Sequence, residues 1–124
     1  MMEKKSNVLD LLLQSEIPQP QTKQYRHKRL SQLCGEDVIL TLKEIPYNRV
    51  GELQRMEETS VHVVLSGVVD PPLKSSELLA KYAAETPAEL VKKLFLPGEV
   101  EDISRAIERL SGYRTTTIEE IKKK

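Results

Sequence analysis

Any chemistry in this chain has to come from a few residues. Ser66-Gly67 and Ser111-Gly112 each join a hydroxyl to a turn-forming glycine, but neither stands in the G-x-S-x-G setting of a nucleophile elbow. They read as helix-end residues. The five glycines, at 35, 51, 67, 98 and 112, are scattered singly and make no phosphate loop. His27 and His62 lie 35 positions apart without cysteines or acids at metal-ligand spacing. Glu99, Glu101 and Asp102 gather carboxylates that a hard divalent ion would accept. The positive end of a helix dipole explains the same three more simply. The run Arg26-His27-Lys28-Arg29 suits phosphate contacts, and equally a solvated strand face or a sheet edge defended by charge. Cys34 is the sole cysteine, so no intramolecular disulfide forms, and it reads as a small buried apolar side chain without the cationic neighbours of a reactive thiol. These residues predict no catalytic site, no metal and no cofactor.

The totals narrow the class. A chain of 124 residues suits one domain with a real core. Apolar residues make up 39% and charged residues 31%, with zero formal net charge, which argues against a strongly cationic nucleic-acid binder. Aromatics are 4%, with no Trp and a single Phe, too few for a base-stacking platform. No segment approaches the roughly 20 apolar residues of a membrane span. The short apolar run at the amino end is broken by Asp10 and lacks a small-residue cleavage site, so a cytosolic protein is expected.

The elements that position everything else centre on Thr86–Gly112, which reads as a helical hairpin. Thr86 is an N-cap, Pro87 takes the first helical position, and Glu89 completes a T-x-x-E capping box. Leu90, Val91, Leu94 and Phe95 form one apolar face. Pro97 and Gly98 supply a turn, after which a second helix starts among Glu99, Glu101 and Asp102. Val100, Ile103, Ile107 and Leu110 line its inner side, Glu101 and Arg105 form an i,i+4 pair outside, and Gly112 is placed as the left-handed closing residue.

Around this hairpin the chain divides into an arm, 1–22, and an α-rich domain, 23–124. Ser6 caps a short helix to about Ser15 whose Val8, Leu9, Leu11, Leu12 and Leu13 are too apolar and too few to stand alone. The extended linker Ile17–Thr22 follows. The helix either docks on its own core or serves as a tethered arm for a partner or a second copy. Residues 23–45 read as a β-hairpin, Lys23–Leu30 against Val38–Ile45, turning at Gly35, Glu36 and Asp37. Helices fill 46–124. Pro46 opens one through Met56. Val61, Val64, Leu65 and Val68 fit helical spacing and also strand alternation; helix is preferred because Leu53 and Met56 continue the face. Ser75 or Ser76 caps a helix to about Glu85, and Thr117-x-x-Glu120 opens a last short one ending in lysines. The expected class is α+β, predominantly helical, with a small amino-terminal β-hairpin.

One ordered set of residues goes further. Gly67-Val68-Val69-Asp70-Pro71, Leu78 with Lys81-Tyr82, Thr86-Pro87-x-Glu89-Leu90-Val91, Leu96-Pro97-Gly98-Glu99-Val100 and Leu110-Ser111-Gly112-Tyr113 follow one another as they do in the XkdN-like tail assembly chaperones of long-tailed phages and prophage elements. The chain resembles that family most strongly from Gly67 to Tyr113. The resemblance implies a non-enzymatic protein of the bacterial host cytoplasm, not retained in the particle. It would bind the tape measure protein, and tail tube subunits, before the tube polymerises. It transfers no catalytic, metal or cofactor residue, and implies neither a membrane nor a nucleic-acid partner; homo-oligomers stay open. The candidate partner surfaces are the arm residues Val8, Leu9, Leu12 and Leu13 and an uncovered face carrying Val61, Val64, Leu65 and Val68. The rival readings are a small nucleic-acid-binding regulator using Lys23–Arg29 and a structural tail component.

Overall fold

The computed structural model describes residues 7–122. Along the chain run α1 (Val8–Gln14), β1 (Thr22–Arg26), α2 (Lys28–Cys34), β2 (Ile39–Lys43), α3 (Tyr47–Gln54), α4 (Thr59–Gly67), β3 (Val68–Asp70), α5 (Ser76–Lys81), α6 (Pro87–Leu94) and α7 (Pro97–Leu110). The result is a helix-dominated α+β fold, the class the sequence predicts. Its antiparallel sheet has the order β1-β2-β3. β1 meets β2 from Thr22↔Lys43 to Arg26↔Ile39, and β3 joins the other side of β2 with Leu42 opposite Val68.

The central element is α4. Val61, Val63, Val64 and Gly67 are all buried, more than one stripe, because α3, α6, α7 and β3 surround the helix. A helix apolar on most sides belongs in an interior. That burial decides between the two periodicities of this stretch and overrides the strand preference of its valines. The helix ends at Gly67, and Val68 continues without a linker into β3, so both patterns in Val61–Val68 are used in succession. Gly67 has a packing reason to lack a side chain: a Cβ there would lie 2.5 Å from Cδ1 of Ile107 on α7.

The predicted hairpin is present. Thr86 Oγ1 accepts from the Glu89 N–H at 3.1 Å, Pro87 begins α6, and Leu90, Val91, Leu94 and Phe95 are buried. The Glu89 carboxylate reaches back one residue further than a capping box does, accepting from the Glu85 N–H. Pro97 and Gly98 form the first turn of α7 instead of a loop before it. Pro97 tolerates that place because its missing N–H is among those with no helical partner. Gly112 adopts φ +96° and closes the helix as expected.

Other local expectations need correcting. β1 and β2 pair as predicted, but α2 joins them in place of a tight turn, and Gly35 (φ +76°) is the left-handed residue that ends α2. Cys34, at the end of α2, is exposed and not buried. α5 stops at Lys81, four residues before Glu85, where Ala83 enters the left-handed region (φ +51°). No helix forms over residues 116–122. There Ile118 and Ile121 stay 85% and 88% exposed, with no surface to lean on. Asn7 caps α1, its Oδ1 accepting from the Asp10 N–H at 2.8 Å; the predicted cap Ser6 and the terminal Lys123 and Lys124 lie outside the described residues.

Candidate partner-binding surfaces

The residues with chemical potential are spent on holding the fold. Ser111 Oγ donates to the Ile107 carbonyl and accepts from the Ile45 N–H, both at 2.9 Å, tying the end of α7 to the strand-to-α3 connection. Ser66 accepts from Arg49. Arg26 pairs with Asp37 at 2.8 Å across the α2 connection. His27 is buried and caps α2, its Nδ1 accepting from the Leu30 N–H at 3.1 Å, with its ring stacked against Phe95. An accepting Nδ1 is unprotonated, which places the ring hydrogen on Nε2. Nε2 lies 3.2 Å from Oε1 of Glu99 but out of line for a hydrogen bond, and among the described residues it has no other partner.

Arg29, on α2, completes this latch. Its Nε and Nη2 donate to the two Glu99 oxygens at 2.9 and 2.8 Å, and Nη2 also donates to the Leu94 carbonyl at 2.9 Å. Glu99 in turn accepts from the Leu96 N–H at the start of α7. One guanidinium thus joins α2 to the end of α6 and the first turn of α7. The Arg29 hydrogen bonds, helped by the Leu96 N–H and opposed by burial, hold the Glu99 carboxyl down at about 2. The same pair raises Arg29 above its ordinary value. The basic run is therefore partly consumed: Arg26 and Arg29 are paired and His27 is inside. Among the described residues no three His, Cys, Asp or Glu side chains gather to hold a metal ion.

Two surfaces among the described residues bear on the partner candidates. The first is α1, where nothing is buried and Val8, Leu9, Leu11, Leu12 and Leu13 are 56–72% exposed. The second is a groove of about 970 Å³ between α4, β3 and the start of α6. Its lining includes the apolar Leu65, Val69 and Leu73, of which Leu73 is itself buried, and the basic Lys43, Arg49, His62 and Lys74.

The family profile of the phage XkdN-like tail assembly chaperone proteins matches residues 55–123, more than half of the chain. The chain belongs to that family. Among solved structures, the crystal structure of the protein yqbn is similar in fold, with a TM-score of 0.68 over 88% of this chain and 99% of that one, at 20% identity. No curated protein sequence matches the chain.

The profile begins within the α3–α4 connection and takes in the whole α4–α7 assembly. α1, β1, α2, β2 and α3 of this chaperone lie outside it. The structure separates the eight residues singled out as partner candidates. Val8, Leu9, Leu12 and Leu13 are exposed on α1. Leu65 is half-buried on the groove wall. Val61, Val64 and Val68 are buried, since α4 and β3 face α6, α7 and β2 on that side. Sequence reasoning missed the groove itself and its neighbours Val69 and Leu73. No local signal marks it, because the groove forms where α4, β3 and the start of α6 converge. Among the described residues no helix is long and apolar enough to cross a membrane.

Proposed function

We propose that this chaperone binds the tape measure protein, and tail tube subunits, of its own phage element before tail polymerisation, in the host cytoplasm and without transforming a substrate. The observation that carries the reading is the undocked α1, whose exposed Val8, Leu9, Leu11, Leu12 and Leu13 form a contiguous apolar surface. Surface of this kind marks an interaction site. A long helical client exposes apolar stripes until the tube encloses it, and an apolar helix on a Pro/Gln tether covers such stripes without a fixed docking angle. Each contact is small, so release is easy, and several copies along one client supply avidity. The half-buried Leu65 and the groove beside it are the second client surface. The arm, residues 1–22, is on this reading a module separate from the domain at 23–124.

The test is co-expression with the tape measure protein of the same element. The intact chain should raise the client's soluble fraction and co-purify with it. The double variant Leu9→Asp/Leu12→Asp should fold normally and lose most of that effect. A client equally soluble with the variant, or with no chaperone present, would refute the reading.

A further inference from the structure

We infer that residues 117–121 of one copy add as a fourth strand to the open edge of β1 in another, so that the chain associates with itself through its sheet. The inference needs no client and is independent of α1.

Backbone hydrogen bonds define the edge. The His27 N–H donates to the Val38 carbonyl, and the Glu44 N–H donates to the Gln21 carbonyl. In an antiparallel ladder such bonded pairs recur at every second residue. With Tyr25 opposite Leu40 and Lys23 opposite Leu42, the odd-numbered residues of β1 are therefore the ones bonded to β2. The N–H and C=O groups of Thr22, Gln24 and Arg26 point away from the sheet, and among the described residues they have no backbone partner. β3 occupies the other side of β2, so this edge is open. Unpaired edges of this kind template an extended segment.

Charge and exposure select the occupant. From Thr22 to Arg29 the chain carries Lys23, Arg26, Lys28 and Arg29 and no acid. Asp37 and Glu99 pair with Arg26 and Arg29, whereas Lys23 forms no ion pair among the described residues. Two copies of β1 laid edge to edge would crowd like charges, so the edge favours a strand that brings carboxylates. The segment after Gly112 contains one. Thr115, Thr116, Thr117, Ile118 and Ile121 have strand-forming side chains, yet the segment takes neither helix nor strand in its own copy. Ile118 and Ile121 are 85% and 88% exposed, and Glu119 and Glu120 lie between them.

The register follows. Antiparallel pairing with Ile118 opposite Tyr25 sets Glu120 opposite Lys23. Tyr25 and Lys23 share the inner face of the sheet, because they stand across from the buried Leu40 and Leu42. Ile118 then packs on the half-buried Tyr25 ring, and Glu120 supplies the counter-ion that Lys23 lacks; both are favourable cross-strand pairs. A cleft of about 330 Å³ beside Tyr25, between β1 and α7, leaves room for the incoming side chain. The lysines after Ile121 count out past Thr22 to residues 17–21, which carry no charge. A slip of two residues sets Lys122 against Lys23 in one direction and Ile118 against Lys23 in the other, so this register is the best matched. A second copy supplies the strand more readily than the same one. The Ile45 N–H donates to Ser111 Oγ, and Glu44 is bonded to Gln21, so the tail leaves the body near the Thr22 end of β1. To lie antiparallel on its own edge it would run the length of β1 in residues 112–116 and reverse at once.

Sedimentation of the full chain across concentration tests this, and the expected result is association that grows with concentration. Gln24→Pro removes an outward N–H that β2 does not use, and otherwise only a 3.4 Å side-chain contact to Thr41. It should weaken association by about tenfold or more, with an unchanged circular dichroism spectrum. Lys23→Glu and Glu120→Lys should each weaken association, and the two combined in one chain should restore most of it, because the pair is reversed and not lost. A monomer at every concentration overturns the inference. So does association indifferent to Gln24→Pro, including association that Leu9→Asp/Leu12→Asp abolishes, which would belong to α1. A combined reversal no better than the single ones overturns the tail as occupant, and a monomer whose tail cross-links to its own β1 overturns exchange between copies.

Discussion

At Glu99 one carboxylate meets three donors or charges from separate parts of the chain. Its folded value of about 2 lies below the ordinary carboxylate range. The sign follows directly. A depressed carboxylate contributes stability that is complete above the unfolded value of about 4.5 and is lost as pH falls toward 2. Arg29 is partly exposed, so screening trims the effect to roughly 1–3 kcal/mol. Urea denaturation at pH 6 and pH 3 should show that loss in the wild type and a clearly smaller one in Glu99→Gln. Equal losses would remove Glu99 from the account. Gly67→Ala probes a different constraint. The added methyl would enter the space of Ile107, which is fully buried and has no room to retreat, so about 1–3 kcal/mol should be lost by overpacking. Pairing it with Ile107→Val should recover part of this, because the truncated side chain vacates some of the contested space. No recovery would place the strain elsewhere.

The elements differ in how far they announce themselves. α6 and α7 are legible because Thr86, Pro87, Glu89 and Gly112 act within a turn of where they stand. Truncating Thr86 to Ala should cost about 1 kcal/mol, whereas Ile107→Ala, removing a side chain with no exposure, should cost about 2–5 kcal/mol; the ratio is read from the two denaturation midpoints. α2 is illegible for physical reasons. It has seven residues, its cap is a histidine, and the bonds that secure it run from Arg29 to Glu99, 70 positions away. β3 is only three residues long and gains its identity from Leu42 opposite it. Of the partner candidates, α1 is legible as a short apolar helix on a linker, but its composition leaves docking on the core and a free arm both open, and only the structure shows it exposed. The groove depends on how α4, β3 and α6 converge, which no local pattern encodes. A chain beginning at Lys23 should unfold within about 1 kcal/mol of the full one, because the exposed α1 shields almost no apolar area. A loss of several kcal/mol would show that the arm is part of the core.

Taken whole, the molecule keeps its chemistry inward and its adhesive surfaces outward. The serines, His27 and the Arg29–Glu99 pair bind helices to one another, while apolar side chains of α1 and the groove wall meet solvent. The family resemblance that the sequence carries from Gly67 to Tyr113 falls within the profile match at 55–123, the part of the molecule built around α4. That region has one further consequence. The last residue of α4 touches α7, and its successor already belongs to the sheet. No slack segment separates helical layer from strands at this point. In amide hydrogen exchange, Val64, Val68 and Leu42 should therefore report a single opening event with one shared protection factor, as a foldon does. Staggered rates would mean that a boundary exists where the backbone displays none.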